Sequence, residues 1–246
     1  AFSTLVELRD LLDTGKISAV EVMNDTLDRI EATNPTINAI VSLRDRDELL
    51  AEAAKPLAGP LSGIPIAIKD LSDTANLKTT YGSPILADNI PKNDAGFVAR
   101  IRAAGAIIIG KTNTPEFGLG SHTYNPVFGA TKNPFDTTKT AGGSSGGAAA
   151  ALAMGYFPVA DGSDMMGSLR NPAGYCNVYG FRPSFGRVPG DDVGDQYLHS
   201  LATSGPMARN IADLTSLLDI MSAPSNGPFH PQFSDGPFSG QLDAST

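Results

Sequence analysis

The 246-residue chain has no tryptophan, one cysteine and three histidines. With Cys176 alone, an internal disulfide is impossible and a cysteine-built zinc site is excluded. Cys176 lies in the run Gly174-Tyr175-Cys176-Asn177-Val178 and reads as a small core residue. His122, His199 and His230 are scattered and show no His-x-x-x-His spacing, so a histidine-built metal site finds no support. None of the three sits in a glycine-dense or strand-end setting, so each reads as a surface or structural residue and not as a triad base. Basic side chains are also few, 18 Lys and Arg against 26 Asp and Glu, for a net charge of −8. That balance argues against nucleic acid or an anionic membrane as the main partner. The most apolar stretch, Ala148 to Ala160, is interrupted and too short to span a bilayer, which takes about 20 residues. The N-terminus lacks the basic-then-apolar pattern of a signal peptide. The expectation is a cytoplasmic globular protein, 41% hydrophobic and 18% charged. There is no internal repeat.

What is present is a run of amphipathic helices, then short apolar strands. Ser3 is expected to cap a helix carrying Leu5, Leu8, Leu11 and Leu12 on one face, ended by Gly15. Ser18 and Glu21 form a capping box ahead of a helix with Val22, Met23, Leu27 and Ile30, expected to stop before Pro35. A short helix follows over Arg46 to Ala54, then a Pro/Gly-rich linker from Lys55 to Gly63. Ile64 to Asp70 and Ala106 to Gly110 read as buried strands, with a helix over Asp94 to Ala104 between them. Strand, helix, strand implies an α/β fold, a sheet covered by helices. A helix starts near Gly147, a strand is expected over Tyr156 to Ala160, and Ile211 to Met221 is amphipathic. The expected organisation is a helical segment over 1–60, a core over 61–222 and a loop or poorly ordered tail over 223–246.

The chemistry is concentrated in two glycine-dense segments, Gly142-Gly143-Ser144-Ser145-Gly146-Gly147 and Gly167-Ser168-Leu169-Arg170. Glycine lets backbone N–H groups approach a bound atom closely. Serine becomes a nucleophile once a base takes its proton. With no histidine suited to the task, lysine is the alternative base. Lys69 ends the strand of Ile64, Ile66 and Ile68, where burial would lower its pKa toward the roughly 7–8 that suits a general base. The competing reading is a surface lysine paired with Asp70, and the residues alone leave the two open. A phosphate-binding reading of the glycine loop is weaker, because no Gly-Lys-Ser/Thr follows it.

Five blocks resemble the amidase signature family of Ser-cisSer-Lys hydrolases. They are Gly63 to Asp70, Gly110-Lys111-Thr112-Asn113-Thr114-Pro115-Glu116-Phe117-Gly118, Phe128 to Pro134, the serine block from Gly142 to Pro189, and Gly205-Pro206-Met207-Ala208-Arg209. They stand in the family's order, and the resemblance runs from about Ser3 to Ser222. It implies a mixed β-sheet core covered on both faces by helices, of which this chain carries only the N-terminal part. It also implies the roles. Ser168 is the nucleophile. Ser144, in a cis peptide, passes a proton between Ser168 and Lys69, the ultimate base. Ser145 supports the network by hydrogen bonding, Asp164 and Arg170 anchor the loop, and the N–H groups of Met165, Met166, Gly167 and Ser168 cradle the oxyanion. No metal or organic cofactor is implied.

The chain departs from the family in two ways. Ser163-Asp164-Met165-Met166-Gly167-Ser168 carries Met166 where the family has glycine. The substitution is strained if φ is positive there; otherwise its flexible side chain lines or narrows the acyl pocket. Ala141 stands where the family often has proline. The family's domain also continues well beyond 246 residues, so the chain is expected to be a fragment of a longer enzyme or to be completed by a partner chain or a homodimer mate. Hydrolysis of a small-molecule carboxylic amide is the leading expectation. The alternatives are the amidase subunit of a tRNA-dependent amidotransferase, against which Met165-Met166 and Asn171 count, and a catalytically impaired binding remnant.

Overall fold

A computed structural model describes residues 2–189, 200–222 and 237–238. Helix α1 spans Leu5–Asp13, and its cap is Thr4, not Ser3. Thr4 Oγ1 accepts the Glu7 N–H at 3.1 Å while Glu7 Oε2 accepts the Thr4 N–H at 2.8 Å. That reciprocal pair fits the capping-box spacing, which Ser3 would miss by one residue. The box at Ser18 and Glu21 opens α2, Ala19–Ile37, as expected. The helix runs through Pro35 instead of stopping before it. Proline forfeits one N–H, and here the loss falls in the last turn, where Asn34 holds the exit. Its Oδ1 accepts the N–H groups of Ala39 and Ile40 at 2.8 and 2.9 Å. Asn38 then ends the helix in a left-handed conformation, φ 57°.

The remaining elements are β1 (Ile40–Val41), α3 (Arg46–Ala53), β2 (Pro65–Lys69), α4 (Gly96–Ala103), β3 (Ile107–Thr112), β4 (Tyr124–Asn125), β5 (Gly129–Ala130), β6 (Lys132–Asn133), β7 (Asp136–Thr140), α5 (Gly146–Ala153), β8 (Val159–Asp164), α6 (Arg170–Tyr175), β9 (Tyr179–Gly180), β10 (Thr203–Ala208) and α7 (Ile211–Met221). One sheet has the order β1-β3-β2, with β2 and β3 parallel and β1 antiparallel to β3. A second, β8-β10-β9, is antiparallel, and β8 lies beside β2. The fold is mixed α/β, as the sequence implies.

The strands are buried on both faces, which explains why they read as continuous apolar runs. Ala67, Ile107, Ile109, Ala160 and Met207 face one core together with Met23, Leu27 and Ile30 of α2, Leu49 of α3 and the alanines of α5. Their strand neighbours Ile66, Ile68, Ile108, Val159 and Ala208 face the other, with Leu5 of α1, Val98 and Ile101 of α4, and Leu214, Leu217 and Leu218 of α7. The period of two sorts side chains to the two helical layers.

The strand expected over Tyr156 to Ala160 lies three residues later. Tyr156 and Phe157 are core residues in the approach to β8, with Tyr156 Oη 2.7 Å from Thr33 Oγ1. The strand then runs on through polar residues, Asp161 to Asp164, that a hydropathy pattern reads as loop. The short pairs β4-β5 and β6-β7 were not expected. They carry exposed Thr and Lys and two buried asparagines, Asn125 and Asn133, without an apolar alternation. No helix among the described residues is long and apolar enough to cross a membrane. The expected tail over 223–246 lies outside the described residues except for Pro237 and Phe238, as do His199 and His230.

Candidate active site

Lys69 is the last residue of β2 and is fully buried. Its Nζ donates to Ser144 Oγ at 2.8 Å, to Ser145 Oγ at 2.8 Å and to Ser163 Oγ at 3.0 Å. It is not paired with Asp70. That carboxylate faces away and accepts the N–H and Oγ1–H of Thr80 at 3.0 and 2.6 Å. Burial lowers the Lys69 pKa to about 7, against the opposing pull of the Asp161 and Asp164 charges. The ammonium donates to all three hydroxyls; the neutral amine, with two N–H groups and one lone pair, donates to two and accepts from the third.

Ser144 and Ser145 lie on the loop that enters α5, and the Gly143–Ser144 peptide is cis. The loop sits close against its surroundings because glycines line it. A Cβ on Gly147 would lie 2.2 Å from the Asn113 nitrogen, so only glycine lets α5 start against the end of β3. Ala141, at the loop's entry, is buried. Ser168 reaches the same place from β8: its carbonyl accepts the Ser145 N–H at 3.2 Å. Ser168 Oγ makes no hydrogen bond among the described residues.

The turn that carries Ser168 is wound around Asp164. Its carboxylate accepts the N–H groups of Gly167 (2.7 Å) and Leu169 (3.1 Å), Nε and Nη2 of Arg170 (3.0 and 3.1 Å) and Nη1 of Arg182 (2.9 Å). Burial alone would raise this carboxyl; the arginine and backbone donors outweigh it and hold it well below the usual carboxylate range. Since the Gly167 N–H is engaged by Asp164, the expected cradle reduces to the N–H groups of Met165, Met166 and Ser168. The left-handed residue of the turn is Gly167, φ 122°, where a Cβ would meet Asn171 at 2.9 Å. Met166 has no positive φ, so the strained reading fails. Its side chain is 85% exposed and that of Met165 51%, both free to border the site's mouth. Gly118, flanked by exposed Phe117 and Leu119, approaches the other side, its Cβ position 3.8 Å from Ser144 Oγ.

Four residues of this arrangement escaped the sequence reading. Ser163 completes the hydroxyl shell of Lys69, and Arg182 braces Asp164. Asp161 Oδ1 accepts the Lys69 N–H at 2.9 Å. Lys111, also buried, donates to Ser72 O at 2.6 Å and to Thr74 Oγ1 at 2.8 Å. The available signal was charge inside apolar strands: Asp161 after Val159 and Ala160, Lys111 after Ile107 to Ile109. Cys176 is buried, its thiol pushed up to about 12 by burial. His122 is exposed, with Nδ1 3.2 Å from Thr140 Oγ1. Among the described residues no cluster of His, Cys, Asp or Glu has the makings of a metal site.

Comparison with known proteins gives consistent matches. Residues 21–237 match the family described as Amidase. A glutamyl-tRNA(Gln) amidotransferase subunit from Thermus thermophilus is 44% identical over 218 residues, 89% of this chain and 46% of that protein. A solved structure of 6-aminohexanoate cyclic dimer hydrolase, complexed with substrate, superposes with a TM-score of 0.89 at 34% identity, over 97% of this chain and 50% of that one. A bacterial aryl acylamidase of the amidase signature family superposes with a TM-score of 0.83 at 34% identity, over 90% and 48%. The chain spans about half the length of the curated relatives it matches.

Proposed function

The chain belongs to the amidase family, and from that premise we propose that it carries the catalytic half of an enzyme that cleaves a carboxylic amide through an acyl-enzyme on Ser168. The single observation that carries this reading is the buried Lys69 Nζ 2.8 Å from Ser144 Oγ, on a cis peptide beside Ser168. Neutral Lys69 accepts the Ser144 proton as Ser144 accepts that of Ser168, and Ser168 Oγ attacks the carbonyl carbon. The developing oxyanion sits against the N–H groups of Met165, Met166 and Ser168, and each such donor contributes roughly 2.7–4 kcal/mol to lowering the barrier. The proton returns through Ser144 to the leaving nitrogen. Water then attacks the ester with Lys69 again taking the proton, and the acid is released.

Two fates for the released ammonia or amine follow. In the hydrolase reading it leaves to solvent. The similarity to a cyclic dimer hydrolase and an aryl acylamidase supports this, as does the apolar border of Met165, Met166 and Phe117. In the second reading the chain is the amidase part of an amidotransferase that works beside partner chains and passes ammonia on. Identities of 40–44% to curated glutamyl-tRNA(Gln) amidotransferase subunits favour it, and they weigh more than Met166 and Asn171, which pointed the other way. Both readings share the Ser168 chemistry.

The test is to trap the acyl group with hydroxylamine, using the full natural protein and a panel of small amides including glutamine. Hydroxamate from the natural protein and none from Ser168→Ala supports the acyl-enzyme. Equal yields from both would sink it. Glutamine turnover that requires copurifying partner chains selects the second reading.

A further inference from the structure

Asp161 lies in the middle of β8 and is fully buried, yet only one of its carboxylate oxygens is used. Oδ1 accepts the backbone N–H of Lys69 at 2.9 Å, bridging β8 to β2 where no strand ladder joins them. Oδ2 has no hydrogen-bond partner among the described residues. A buried carboxylate oxygen without a donor is costly. Unlike Asp164, the other buried carboxylate of β8, Asp161 has no arginine to pair with among the described residues. Backbone bridging alone would be met by a neutral acceptor such as asparagine. What aspartate adds is a charge that acts on the amine without touching it.

We propose that Asp161 is a positioning residue that sets the pH at which Lys69 becomes a base, holding the Lys69 backbone through Oδ1 and acting on its ammonium through its charge. The inference rests on the reading of Lys69 as the base. The groups that face Asp161 are few. β2 brings Lys69 and β3 brings Lys111, while Asp164 further along β8 acts on Lys69 and Asp70 on Lys111. β10 and α5, which also pack on β8, contribute no ionisable side chain. α7 brings Asp213, whose Oδ2 is occupied by the Leu5 N–H, and Asp219, whose Oδ1 accepts the Phe238 N–H. Asp161 is therefore a source of negative charge acting on two buried lysines. Burial raises its own carboxyl to about 6 and lowers Lys69 to about 7, each against the opposing charge of the other.

The sign follows. A negative Asp161 stabilises the Lys69 ammonium and delays formation of the free amine. Asp161→Asn keeps an oxygen for the Lys69 N–H and removes the charge. Lys69 then loses its proton at lower pH, and the acid limb of the rate profile moves down by about one pH unit, the usual size of a neighbouring-charge effect. The experiment is the pH dependence of Ser168 labelling by a fluorophosphonate in the full natural protein, Asp161→Asn and Asp161→Ala, with circular dichroism to check folding. The inference predicts the limb displaced toward acid in both variants, with a lower plateau in Asp161→Ala. A limb that stays in place while the plateau falls would overturn it and leave Asp161 a structural tie. Failure of both variants to fold would do the same. Absence of labelling in the natural protein would instead remove the Ser168 reading itself, a distinguishable result.

Discussion

At the residue scale the central object is a lysine stripped of water. Lys69 has three hydroxyls around Nζ and no carboxylate in contact, so burial dominates and brings its pKa to about 7. Below that pH the ammonium has no lone pair to offer Ser144; above it the free amine does. The rate of acylation is therefore predicted to climb between about pH 6 and pH 8 and to level off beyond, measured as kcat/KM on any accepted amide. Lys69→Met and Ser144→Ala are each predicted to lower that rate by roughly 10²–10⁴-fold, the usual contribution of a general base, and to abolish its rise near pH 7. A rise that persists in Lys69→Met would assign it to another group. Much of this was legible in the sequence. Lys69 stands out as a charge at the end of Ile64, Ile66 and Ile68, and Ser144 and Ser168 as hydroxyls among glycines. Ser163 and Asp161 were not legible, because their contacts depend on which strand lies beside β2, and nothing local in Val159–Asp164 states that.

At the element scale the site is held by close approach. α5 begins against the end of β3, and Gly147 is the point of contact, with Asn113 N and O within 2.2 and 2.6 Å of any Cβ placed there. Backbone atoms cannot yield as a flexible side chain does. Gly147→Ala is predicted to cost at least about 2 kcal/mol by overpacking, read as a lower urea midpoint, and to displace Ser144 from Lys69, read as a fall in kcat with little change in KM. A neutral Gly147→Ala would mean that α5 can retreat from β3 without moving the serines. Elements with one clean period were readable: α2, α3 and α7 by their apolar stripes, β2 and β3 by their isoleucines. Those that failed did so for physical reasons. β8 is polar because its later residues line the site, and β4 to β7 are short pairs whose buried positions are asparagines. Pro35 falls where losing an N–H costs α2 little.

At the scale of the whole molecule, one side chain helps tie α5 and β8, which carry the site, to the N-terminal segment. Arg209, just past β10, donates to Leu152 O at the end of α5 (3.1 Å), to Phe157 O before β8 (2.8 Å) and to Ser3 O ahead of α1 (2.7 Å). Its guanidinium also lies 5.6 Å from the Phe2 ring centroid. Arg209→Ala is predicted to cost about 2–3 kcal/mol, since it leaves the buried Phe157 carbonyl without its donor and removes the tie to Leu152 O and Ser3 O. The urea midpoint reads that loss, while the pH dependence of acylation stays where it was because no group near Lys69 changes. The two layers of helices and the paired sheets thus serve one geometric end: bringing the ends of β2 and β8 to the start of α5.

The proposed chemistry turns on one point above the others, that Ser168 Oγ is the atom acylated and Lys69 the group that makes it reactive. The most direct measurement is the mass and peptide map of the full natural protein after reaction with a fluorophosphonate, alongside Ser168→Ala and Lys69→Met. The prediction is a single adduct on the peptide containing Ser168, none in Ser168→Ala, and labelling slowed by roughly 10²–10⁴-fold in Lys69→Met. An adduct on any other residue, or equal labelling of Ser168→Ala, would contradict it.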